Sequence, residues 1–96
     1  MTNYTVRVEL HDADSDDYDK LHDEMRKQGF SKRIKIGDDT WELPTAEYSL
    51  IQTGTNSASV LAKAEAAANL VQPRPKPSIL VTSSEFARKF SGLKKV

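Results

Sequence analysis

The sequence of 96 residues has no cysteine. Disulfides, thiolate zinc sites and cysteine nucleophiles are therefore excluded, and the usage suits a reducing compartment. No apolar run approaches the ~18–20 residues that span a bilayer. The opening Met1-Thr2-Asn3-Tyr4 lacks the basic and apolar regions of a signal peptide. A cytoplasmic chain without a membrane partner is the expectation. There is no Walker A loop and no G-x-G-x-x-G, so no nucleotide cofactor is expected. There is no G-x-S-x-G elbow to activate a serine.

Apolar residues make up 38% of the chain, below the usual ~45–50%. One modest core is affordable at this length. The net charge is zero, but it is unevenly spread. Residues 1–50 hold 12 acids and 7 bases, a net −5, whereas residues 51–96 hold 2 acids and 7 bases, a net +5. Such a dipole suits solubility, self-association of opposite faces, or a basic end that touches phosphate.

Tyr4 to Leu10 alternates strictly, with Tyr4, Val6, Val8 and Leu10 on one side. That period, with β-branched residues, predicts a half-buried strand. Asp14 or Ser15 caps a helix with Tyr18, Leu21, His22 and Met25 on its apolar face and Gly29 as its stop. Phe30 to Ile36 predicts a second strand, whose bases mark a sheet edge. A hairpin longer than two residues leads to a third strand over Ala46 to Ile51. Asn56 or Ser57 caps an Ala-rich helix running to about Leu70. Pro73, Pro75 and Pro77 enforce an extended connector. Ser78 to Thr82 reads as the fourth strand, and Phe86 to Phe90 as a short helical turn.

The order βαββαβ predicts a ferredoxin-like α+β sandwich. Its four-stranded antiparallel sheet would run 4-1-3-2, with both helices on one face. Residues 1–91 would form this one domain and residues 92–96 a basic tail. The outer sheet face would carry Thr5, Arg7, Glu9, Glu47, Ser49 and Ile51. None is aromatic, which disfavours the base-stacking mode of RNA-recognition sheets. Arg7 on that face, with Arg74, Lys76, Arg88 and Lys89 in the basic half, are the candidate contacts for RNA phosphates.

Asp12-Ala13-Asp14-Ser15-Asp16 suggests a calcium loop, but Asp17 stands where the loop needs glycine. A helix-capping loop explains it better. His11 and Asp12 stand where the first strand ends, a common place for functional side chains. A histidine beside a carboxylate suits acid–base work or a divalent metal. His22, on an apolar helix face, reads as a core-edge residue.

The stretch Tyr4-Thr5-Val6-Arg7-Val8-Glu9-Leu10-His11-Asp12-Ala13-Asp14, continuing to Tyr18, Leu21-His22, Met25 and Gly29-Phe30, and then Leu43-Pro44-Thr45-Ala46-Glu47-Tyr48, resembles short bacterial and phage-borne proteins. These are grouped with the type V antitoxin endoribonuclease GhoS. That family is similar in fold to small CRISPR-associated ribonuclease-like proteins. The resemblance implies an endoribonuclease antitoxin that cuts a toxin messenger RNA. It also implies a homodimer, in which a strand-end Asp from each chain shares one divalent metal. Asp12 is the matching residue, with Mg²⁺ as the implied ion and His11 as its neighbour. The alternative is a non-catalytic ferredoxin-like module, phage-encoded, that dimerises or binds a partner.

Overall fold

The computed structural model describes residues 1–96. Its elements are β1 (Thr2–Glu9), α1 (Ser15–Lys27), β2 (Arg33–Ile36), β3 (Asp39–Glu42), β4 (Glu47–Gln52), α2 (Ser57–Val71), β5 (Ser78–Ser84) and β6 (Lys94–Lys95). The fold is α+β, with two helices and antiparallel sheets. No helix is long and apolar enough to cross a membrane.

The alternating stripe of β1 does what its period requires. Tyr4, Val6, Val8 and Leu10 are all buried, and they join one core with Leu21 and Met25 of α1 and Val60, Ala64, Ala67 and Ala68 of α2. The alanines let α2 lie close against its neighbours. β1 is central, pairing with β4 on one side and β5 on the other. Tyr18 Oη accepts the Leu10 N–H at 3.0 Å, which ties the exit of β1 to α1.

Local chemistry sets the ends of α1. Asp14 Oδ1 accepts the Asp17 N–H, and Asp17 Oδ2 accepts the Asp14 N–H, a complete capping box. At the other end Phe30 N–H reaches Met25 O and Gly29 N–H reaches Arg26 O. This is a Schellman closure, and Gly29 takes the φ of 95° that it needs.

The expected single sheet of order 4-1-3-2 does not form. The strands make two three-stranded sheets, β4-β1-β5 and β2-β3-β6. One isolated bridge joins them, Ser31 with Ser49. The cause lies at the next residue. The Lys32 carbonyl accepts the Leu43 N–H at 2.8 Å, so the chain after β3 pairs where β4 would have continued. The Lys32 ammonium meanwhile donates to the carbonyls of Pro44, Thr45 and Glu47. β2 therefore peels away from β4 after a single pair.

Three further expectations are corrected. The hairpin after β2 is tight, with Ile36 opposite Asp39 and Gly37 at φ 63° in a two-residue turn. The segment from Phe86 to Phe90 is not helical, because β5 runs on to Ser84 and a Ser84 Oγ turn follows. Lys94 and Lys95, expected in a tail, form β6 against Trp41 and Glu42.

Residues 85–93 form a strap from the end of β5 to β6. Asn3 Nδ2 donates to Phe86 O, and Arg88 Nη1 donates to Thr5 Oγ1 at 3.1 Å. Phe90 then packs on Trp41, with ring centroids 4.8 Å apart. The strap thus binds the outer face of the first sheet to the second.

Candidate functional site

β1 delivers His11 and Asp12 to the first turn beyond the sheet. His11 is half-buried, and its Nε2 lies 2.8 Å from Ser78 Oγ at the start of β5. Asp12 is exposed and holds φ at 54°, the left-handed region that side chains rarely adopt. It alone among the non-glycine residues has a positive φ. Its carboxylate has no hydrogen-bond or ion-pair partner in the chain. The neighbouring acids differ, because Asp14 and Asp17 are occupied with each other in the capping box.

The expected basic contacts do not converge. Arg74 and Lys76 are exposed on the connector that runs into Ser78, and Lys76 lines a cleft with Leu61, Glu65 and Asn69 of α2. Arg7 lies on the outer sheet face, 3.8 Å from Glu9 and 4.0 Å from Glu47. It is more than half exposed, so this trio stabilises little. The Arg88 guanidinium is committed to Thr5 and the Tyr4 carbonyl, and burial lowers its pKa. It anchors the strap and is not a free phosphate ligand. Lys89 beside it is exposed.

No group of three or more His, Asp or Glu side chains in the chain is placed to hold a metal ion. Asp12 stands alone as a ligand, so one chain does not provide a set that fits Mg²⁺.

The structure brings together a second group that sequence reasoning had set aside. His22 Nδ1 lies 2.6 Å from Tyr48 Oη, with the rings edge-on at 5.6 Å. The Lys32 ammonium sits 4.8 Å from the centroid of the Tyr48 ring, within cation–π range. Burial lowers the His22 pKa, assisted by the Lys32 charge and opposed by Asp19 and Asp23. Burial pushes Lys32 down to about 8 against the pull of Glu42 and Glu47. Burial also raises the pKa of Tyr48, so its hydroxyl keeps its proton. The hydroxyl and Nδ1 share one hydrogen bond, and His22 Nε2 has no partner within the chain.

One signal in the sequence pointed to this group. His22 and Tyr48 both occupy apolar-face positions, and the polar tip of a buried tyrosine needs a partner. Lys32 also interrupts the alternation of its strand. What joins the three is tertiary, over separations of 10 and 16 residues.

Comparison with known proteins found no family model that matches, no similar curated protein and no similar solved structure.

Proposed function

We propose that the chain is a GhoS-like antitoxin acting as an endoribonuclease on a toxin messenger RNA in the cytoplasm. In this reading the two sheets are a ferredoxin-like βαββαβ frame whose second strand has peeled away. The observation that carries the proposal is Asp12: an exposed, unpaired carboxylate held at φ 54° directly beyond the central strand, next to His11. Left-handed backbone at a non-glycine residue costs free energy and concentrates at functional sites. Arg74 and Lys76, exposed on the connector that leads to Ser78, supply charge for phosphates.

The donor set supports a route without metal. Asp12 takes the proton of a ribose 2′-OH, and the 2′ oxygen bonds to phosphorus. The P–O5′ bond breaks, and the departing 5′ oxygen takes a proton from the His11 imidazolium. The products are a 2′,3′-cyclic phosphate and a free 5′-OH. The Ser78 hydroxyl orients the His11 ring.

The test is cleavage of single-stranded RNA by wild type, Asp12→Asn and His11→Ala, with and without EDTA. Loss of cleavage in both variants, with no effect of EDTA, is the expected result. Equal cutting by wild type and Asp12→Asn would refute the role of Asp12.

A second reading rests on exposed apolar side chains. Ile51 is 48% exposed, Leu80 65% and Phe86 82%. By register Ile51 and Leu80 share the outer sheet face with Asn3 and Arg7. That face suits a homodimer or another protein partner. Light scattering of the purified protein tests it: a monomer at all concentrations removes the homodimer.

A further inference from the structure

Two open clefts meet at Lys32. One has a volume of about 500 Å³ and is lined in part by Pro44 and Lys94. The other, about 570 Å³, is lined in part by Arg26, Ser31 and Arg33. His22, Lys32 and Glu42 line both, so the two join as one trough between α1 and the second sheet.

Strand register sets the charge along its wall. Arg33 lies opposite Glu42, and Glu42 lies opposite Lys94, giving a base–acid–base row across three strands. Arg33, Glu42 and Lys94 are exposed, and none is in an ion pair. Arg26 is already tied to Asp23 at 2.8 Å. With Lys32 beneath, three uncommitted or fixed cations face one carboxylate.

We infer that this trough is a track for the backbone of single-stranded RNA, with Arg33 and Lys94 on successive phosphates and the His22 ring against the nucleotide between them. The trough is open, and its cations are spread along it. That arrangement suits a chain of charges better than one compact anion. Lys32 spends its donors on three carbonyls, so it acts as a fixed charge and not as a reaching ligand. His22 offers a flat ring and a free Nε2, and Arg33 offers a guanidinium plane. Bases stack on both kinds of surface, whereas an acidic peptide could only pair with them at their edges. The proposal rests on the RNA-directed reading for its ligand. It is separate from the cleavage residues, since neither His11 nor Asp12 lines either cleft.

The experiment is fluorescence anisotropy with a short labelled RNA whose riboses are all 2′-O-methylated, so that it binds without being cut. Arg33→Glu with Lys94→Glu is compared with Lys20→Glu and Lys63→Glu, a charge-matched pair on the two helices. Arg33, Lys94 and Lys20 are exposed and Lys63 is half-buried, and circular dichroism verifies the folds. The trough pair is expected to weaken binding roughly tenfold or more and to lower the salt slope by about 2. Glu42→Gln should tighten binding, and His22→Ala should weaken it. Equal losses in the trough pair and the helix pair would overturn the trough while leaving RNA binding intact. No binding by wild type would overturn the RNA-directed reading itself, and the trough with it. A polyglutamate peptide that binds as tightly, with the same dependence on Arg33 and Lys94, would overturn the assignment of ligand.

Discussion

The Tyr48 hydroxyl and His22 Nδ1, 2.6 Å apart, join the central part of β4 to the middle of α1. Tyr48 is 1% exposed, so its hydroxyl depends on this one partner. Tyr48→Phe should destabilise the fold by about 1 kcal/mol. It should also change the NMR signals of the His22 ring, which loses its Nδ1 partner. Denaturant unfolding and NMR of the His22 ring measure the two effects.

The same pair gives stability a pH dependence of known sign. Folded His22 titrates below the ordinary value of 6.5. Between those two values the unfolded chain holds a proton that the folded chain does not. The contribution of His22 is thus present above 6.5 and is lost as pH falls through the folded pKa. Its surroundings are Asp19 and Asp23 on α1, Lys32 before β2, Tyr48 on β4, and Arg26, Arg33, Glu42 and Lys94 around the trough. His22→Gln should flatten the fall in melting temperature between neutral pH and about pH 5. An unchanged slope would place its origin elsewhere.

Lys32 fastens the link from β3 to β4 through three carbonyls. Lys32→Met keeps the length of the stem and removes every donor. The expected loss is about 1 kcal/mol, since only the Glu47 carbonyl is part-buried and the other two acceptors are exposed. Amide exchange at residues 43–47 should quicken more than exchange in α2.

Asp12 tests whether strain is held for function. Asp12→Gly should stabilise the protein by roughly 0.5 kcal/mol, and Asp12→Val should destabilise it by more than about 1 kcal/mol, because only glycine adopts φ 54° freely. Both variants should lose RNA cleavage. A glycine variant that is more stable yet inactive would be the signature of a strained working residue.

Arg88 and Phe90 hold the strap, and Trp41, the single tryptophan of the chain, reports on it. Arg88→Ala should red-shift Trp41 emission and speed proteolysis within residues 85–93. No change in either would mean that the strap is fastened without Arg88.

Local signals were legible in the sequence and long-range ones were not. The β1 stripe, the Asp14 cap, the Gly29 stop and the Asn56 cap all act within a few residues. Each stands where its chemistry predicts. The split of the sheet was hidden because it turns on Lys32 reaching carbonyls 12 to 15 residues away. β3 was hidden because it is only four residues long and Pro44 follows it closely. His11 and Asp12 could be placed at a strand end from alternation alone. The trough could not, since it needs α1, β2, β3 and β6 in one place.

The single bridge between Ser31 and Ser49 divides the hydrogen-bond ladder into two blocks. Each block can open as its own cooperative unit. Amides of β2 and β3 should then exchange together and ahead of those of β1. A ligand in the trough would lie against the second block and α1. Its binding would be felt as a common slowing of exchange across the second sheet, at amides beyond those of the residues it contacts.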